Sequence, residues 1–203
     1  MKNLAYLLTL MAVLHSCQEQ PNSSIMNKVD SELIDEAIKT INTKDQELIF
    51  RRTTLIVRDL NESLALYKDA MGMEVIYDQV ITRPHPFKKG EMQKLRLIFL
   101  KALDHYQGVL GLIDYEYGNE DKPEIPVRKE GFIAQNAILL FNSNELETKF
   151  EKIRSTPSVE IISEPKLTQY PSYDGQDTLK VIVSKFYDPD GFIVEFNQLL
   201  SDI

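Results

Sequence analysis

Residues 185–196, KFYDPDGFIVEF, read as the end of one strand, a tight turn and the start of another. Asp188-Pro189-Asp190-Gly191 is turn chemistry: proline presets one backbone angle, glycine accepts a left-handed one, and aspartate bonds back to the main chain. Beyond the turn, Phe192, Ile193, Val194 and Phe196 surround one carboxylate, Glu195. A carboxylate among apolar strand neighbours needs a partner, because ionising it alone in an apolar setting is costly. A metal ion, a side chain, a substrate and solvent are the candidates.

Working outward, TLKVIVSKFY (178–187) and VEIIS (159–163) read as strands. NELETKFEKIRS (144–155) reads as a helix opened by Ser143 or Asn144, and FIAQNAILLF (132–141) as a strand. The first half repeats this order. IFRRTTLIV (49–57) is a strand, NESLALYKDAM (61–71) a helix, and MEVIYDQVI (73–81), KLRLIFLK (94–101) and GVLGLIDY (108–115) are strands. Such repetition implies two similar βαβββ modules, about 49–115 and 131–199, joined by the charged, proline-containing linker EYGNEDKPEIPVRKEG (116–131). The fold class is α+β.

Ahead of the modules, MKNLAYLLTLMAVLHSC (1–17) has a basic start, an apolar run and small or polar residues before Cys17. That is the layout of a secretory signal, too short to span a bilayer as a helix. Cys17 is the only cysteine, so no disulfide framework exists. LHSC resembles a bacterial lipobox, which implies a signal peptide over 1–16 and a lipid anchor on Cys17. The alternative is an ordinary cleaved signal with an incidental cysteine, and both readings export the chain. Residues 17–30 suit a lipidated tether, and 31–48 hold a short amphipathic helix, SELIDEAIKTI, and a linker. The chain has a net charge of −8. Removing 1–16 deletes only Lys2, leaving 22 basic against 31 acidic residues, about −9. That balance argues against nucleic acid and against electrostatic adhesion to anionic lipid.

TTLIVRDLNESLALYKDAMGMEVI (53–76) and FYDPDGFIVEF (186–196) resemble the first strand and helix and the closing hairpin of the vicinal oxygen chelate superfamily. That superfamily includes glyoxalase I, bleomycin resistance proteins and extradiol dioxygenases. The resemblance spans about 49–199. It implies a partly open mixed-sheet barrel around a central cavity that holds a small ligand. In metal-using members four strands supply ligands, commonly His or Gln, Glu, His and Glu. The positions carry over here to Arg52, Leu112, Asn136 (or Gln135 if the register slips by one) and Glu195. Arginine has no lone pair to offer a metal, and leucine cannot ligate. Asp114, two residues beyond Leu112, would ligate only if its strand shifted. One match in four predicts no family-type metal site. If a divalent metal is bound, Glu195, Asp114, Asn136 and water hold it.

These departures lead to an expectation that Arg52 and Glu195 pair across the cavity. In the functional version Arg52 also engages an anionic or carbonyl-rich ligand, with Asn136 and Asp114 near it; in the structural version the pair only satisfies itself. Loops over 82–93 and 164–177 would cover the cavity mouth, the second offering Tyr170 and Tyr173. His85 and His105 read as solvated loop histidines. The first functional reading is an exported, membrane-anchored protein that binds a small molecule without a metal cofactor. The second is a metal-dependent lyase, isomerase or dioxygenase with Glu195 as base or ligand, and the third is a surface interaction scaffold. The resemblance also leaves open a homodimer. No phosphate-binding glycine loop, nucleophile elbow or zinc helix appears.

Overall fold

Two copies of one strand, helix and three-strand unit build residues 50–200, which a computed structural model describes apart from 104, 106, 107 and 130. The expected signal, Cys17, the tether and the 31–48 helix lie outside the described residues. The first unit runs β1 (Arg52–Ile56), α1 (Leu60–Leu64) continuing as a π-helical stretch (Ala65–Ala70), β2 (Glu74–Pro84), β3 (Met92–Lys101) and β4 (Val109–Asp114). The second runs β5 (Ile138–Asn142), α2 (Leu146–Arg154), β6 (Glu160–Pro171), β7 (Thr178–Tyr187) and β8 (Ile193–Leu199). Among the described residues no helix is long and apolar enough to cross a membrane.

Each unit makes one four-stranded mixed sheet, ordered β1-β4-β3-β2 and β5-β8-β7-β6. In each, the first strand pairs parallel to the last and the remaining pairs are antiparallel. No hydrogen-bonded ladder joins the two sheets, so they form no closed barrel. The first helix starts at Leu60, one residue before the expected 61, and the second at Leu146 behind Glu145, two residues after the expected opening. Asp59 Oδ1 accepts from Asn61 N (2.7 Å) and Glu62 N (3.3 Å), a cap worth about 1 kcal/mol. Ser143 Oγ accepts from Glu145 N (3.1 Å) just ahead of α2.

One core serves both units. Leu66 and Tyr67 of the first helical segment and Phe150 and Ile153 of α2 meet Ile98, Leu100, Leu112, Phe186 and Val194 from the sheets, all essentially solvent-free. Lys149 of α2 ties the helices together by donating to Met71 O (2.8 Å), where the π-helical stretch ends. The two expected lid loops are instead the outer parts of long hairpins. β2 continues to Pro84 and β6 to Pro171, so Tyr170 is a strand residue and only Tyr173 lies in a turn.

Candidate functional site

Register decides which side chains share a face. Across β1, β4 and β3, Arg52 stands beside Val109 and Lys101, Thr54 beside Gly111 and Phe99, and Ile56 beside Ile113 and Leu97. This face is turned away from the helices, since the alternate residues Leu55, Leu110, Leu112 and Ile98 fill the core. Leu112, expected at a cavity position, is therefore a core residue, and the strand presents Gly111 and Ile113 instead. Asp114 shares the core side with Leu112. Its Oδ2 meets Lys122 Nζ (2.9 Å) and its Oδ1 accepts from Glu116 N (2.8 Å), so it pins the linker rather than lining a cavity.

Arg52 lies on the open face. Its guanidinium carbon sits 4.1 Å from the centroid of Phe99, and Tyr77 stacks on Phe99 at 4.8 Å between centroids. Gly111 leaves room for this row: a Cβ there would lie 2.6 Å from Thr54 Oγ1. The aromatic ring holds the cation without neutralising it. Among the described residues no carboxylate pairs with Arg52. Lys101, on the same face, is neutralised by Glu74 (3.0 Å).

In the second sheet the matching face carries Leu140, Glu195 and Lys185 in one row and Asn142, Asn197 and Val183 in the next. Glu195 Oε2 pairs with Lys185 Nζ at 3.1 Å, and Oε1 accepts from Asn197 Nδ2 at 2.8 Å. The expected Arg52–Glu195 pair is thus absent. Lys185 is directly opposite Glu195 in an antiparallel ladder, whereas Arg52 belongs to the other sheet. Asn197 Oδ1 is buried without a hydrogen-bond partner. Between the free edges of β1 and β5 lies a cleft of about 490 Å³, lined by Arg52, Val109, Ile138, Leu140 and Asn142 among others. Asn136 is outside it, donating to Gly131 O (2.9 Å); it and Gln135 line a separate depression beside Asp190. Tyr170 pairs with Leu179, beyond the part of β7 that β8 backs, and Tyr173 is exposed in the turn, so neither belongs to the Arg52 row.

The turn before Glu195 proves to be the clamp between the units, a role sequence reasoning missed. Asp188 Oδ2 accepts from Tyr67 Oη (2.8 Å), and its Oδ1 accepts from Asp190 N (3.0 Å) and Phe192 N (2.8 Å). Asp190 Oδ1 accepts from Arg58 N and Nε, both at 2.9 Å. Burial pushes the Asp188 carboxyl up to about 6, against the pull of its donors Tyr67 and Phe192. Burial, reinforced by the Asp188 charge, also raises the Tyr67 hydroxyl well above its ordinary value.

An acid whose pKa is higher folded than unfolded takes up its proton first in the folded state. Asp188 therefore adds stability as pH falls from about 6 toward the unfolded value near 4, and withdraws it as pH rises. The expected result is that wild type gains melting temperature relative to Asp188→Asn as pH drops from about 7 to 4.5. Parallel melting profiles for the two proteins would refute this titration.

The sequence profile of the Glyoxalase/Bleomycin resistance protein/Dioxygenase superfamily matches residues 49–196. The chain belongs to that superfamily. Among solved structures, a glyoxalase family protein from Bacillus cereus is similar at 12% identity and a TM-score of 0.52, covering 78% of this chain and 98% of its own. Glyoxalase I of Leishmania major is similar at 20% identity, with 74% and 86% coverage and a TM-score of 0.47. An antibiotic-binding protein from Streptomyces sp. CB03234 is similar at 18%, with 76% and 98% coverage and a TM-score of 0.45. No curated protein matches the sequence.

Members of the glyoxalase superfamily often hold a divalent metal, and the residues present do not fit one. Arg52 offers no lone pair, the β4 face presents Gly111 and Ile113, and Glu195 is engaged by Lys185 and Asn197. Asp114 points to the opposite side of its sheet and cannot converge with Glu195. Among the described residues no three His, Cys, Asp or Glu side chains are placed to hold a metal ion.

Proposed function

We propose that this chain is an exported, lipid-anchored binding protein of the glyoxalase superfamily, which takes a small anionic or carbonyl-rich molecule on the open sheet faces beside the β1–β5 cleft. One observation carries the reading: the Arg52 guanidinium rests on the Phe99–Tyr77 stack, faces the cleft and has no carboxylate partner among the described residues. A guanidinium held in this way offers a preorganised fork of donors to a carboxylate or a pair of carbonyl oxygens. The aromatic row suits a planar ligand. Export and acylation at Cys17 rest on the sequence pattern of residues 1–17.

The test is isothermal titration of benzoate, phthalate and pyruvate into wild type and Arg52→Met. Wild type is expected to bind an aryl carboxylate, and Arg52→Met to bind it about tenfold more weakly with its fold intact, the loss of one charge-assisted contact. Equal binding by the two proteins, with only their melting temperatures differing, would reduce Arg52 to a structural residue. Labelling with radioactive palmitate, lost on Cys17→Ser, tests the anchor separately.

A further inference from the structure

The β2–β3 hairpin carries a surface that the binding reading does not use. β4 backs β3 only from Arg96 to Lys101, so the outer ribbon, with Thr82 opposite Lys94 and Pro84 opposite Met92, stands without a third strand. At its turn Phe87 is 91% exposed and Met92 is 62% exposed, among the most exposed large apolar side chains of the described residues. The tip is nonetheless ordered. His85 Nδ1 accepts from Phe87 N and Lys88 N, both at 3.1 Å, and His85 N donates to Glu91 O (2.9 Å). Arg83 and Lys94 lie over Tyr115 and Tyr117 at the neck.

The charge of this segment opposes that of the chain. Residues 83–94 hold Arg83, Lys88, Lys89 and Lys94 against Glu91 alone, in a protein of net charge −8. The equivalent turn of the second unit, SYDGQD (172–177), carries Asp174 and Asp177 and no basic residue. The global acidity that argues against anionic lipid thus has a local exception, concentrated around the most exposed aromatic side chain of the described residues.

We infer that the β2–β3 tip is a membrane-contact element: Phe87 enters the headgroup region of an anionic bilayer while Lys88 and Lys89 meet lipid phosphates. One protruding turn cannot supply the roughly 800 Å² per partner that a stable protein interface needs. An aromatic wedge flanked by lysines needs no shaped partner, because a charged lipid surface provides both the phosphates and the apolar layer. The inference does not depend on a lipid at Cys17 or on the ligand of the Arg52 face.

The chain contains no tryptophan, so Phe87→Trp places a single reporter at the tip of the full-length protein. Adding vesicles of phosphatidylcholine and phosphatidylglycerol (about 7:3) is expected to shift its emission to the blue and expose it to quenching by brominated acyl chains. Pure phosphatidylcholine vesicles should leave it unchanged. Adding Lys88→Ser and Lys89→Ser should weaken the response about 30-fold, the contribution of two lysines near an anionic surface. Because the reporter reads only its own surroundings, an anchor elsewhere in the chain cannot produce the shift. Unchanged emission with anionic vesicles would overturn the inference, as would a response indifferent to both lysines. A blue shift that grows with protein concentration without vesicles would assign the tip to a second copy and overturn it equally.

Discussion

Asp188→Ala is expected to cost about 3–5 kcal/mol of folding stability, measured by urea denaturation at neutral pH. Its carboxylate satisfies three donors at once: the Tyr67 hydroxyl from the first unit and the backbone N–H groups of Asp190 and Phe192 in its own turn. Tyr67 is fully buried, so losing Asp188 strands a hydroxyl in the core. Each buried donor left without an acceptor costs about 1–3 kcal/mol, and the two backbone groups also define the turn that sets the register of β8. Tyr67→Phe removes one bond and leaves Asp188 its two backbone donors, so a loss of only about 1–2 kcal/mol is expected. If Asp188→Ala cost no more than Tyr67→Phe, the turn would be held by backbone geometry and not by the carboxylate.

This clamp illustrates what the chain's sequence does and does not disclose. The order of strands and helices is legible because it is local: apolar residues recur at helical spacing in the two helices and turn residues separate the strands. What the Asp188–Gly191 turn holds is not local, since Tyr67 and Arg58 lie 121 and 132 residues from their partners. The face of β4 was unreadable for another reason. All six residues of Val109–Asp114 are buried, so no alternation reveals which of Gly111 and Leu112 faces away from the helices. The outer part of β6 was mistaken for a loop because its two-stranded ribbon is exposed on both sides and leaves no apolar stripe. At the site, Arg52 departs from the family's pattern in the sequence itself, and the register places it on the open face. Its neighbours Phe99 and Tyr77 went unnoticed, because only cross-strand register brings them together. Glu195 found a lysine and not an arginine because a directly opposed residue in the same sheet reaches it without bridging two sheets.

Gly191→Ala is expected to destabilise the protein by about 3–4 kcal/mol and, unlike a second glycine substitution, to resist rescue. Gly191 has φ +89, in the region where a Cβ is strained, and a Cβ there would lie 2.5 Å from Arg128 O and 2.9 Å from Arg128 C. Both penalties fall on main chain: the turn cannot relax without moving Phe192 N from Asp188, and the clashing Arg128 atoms are backbone, which no side-chain rotation can move aside. Gly111 is the contrast. The three atoms nearest its Cβ would all belong to the side chain of Thr54, at 2.6 Å for Oγ1 and 3.0 Å for Cγ2. Gly111→Ala is expected to be restored largely by Thr54→Ala, giving a double-mutant coupling of about 1–3 kcal/mol in urea denaturation. No change at Val127 or Arg128 should restore Gly191→Ala, since shortening Val127 relieves only the 3.1 Å contact with its Cγ1. Recovery of Gly191→Ala by Val127→Ala would show that the linker side chain, and not its backbone, fixes the turn that carries Glu195 to the open face.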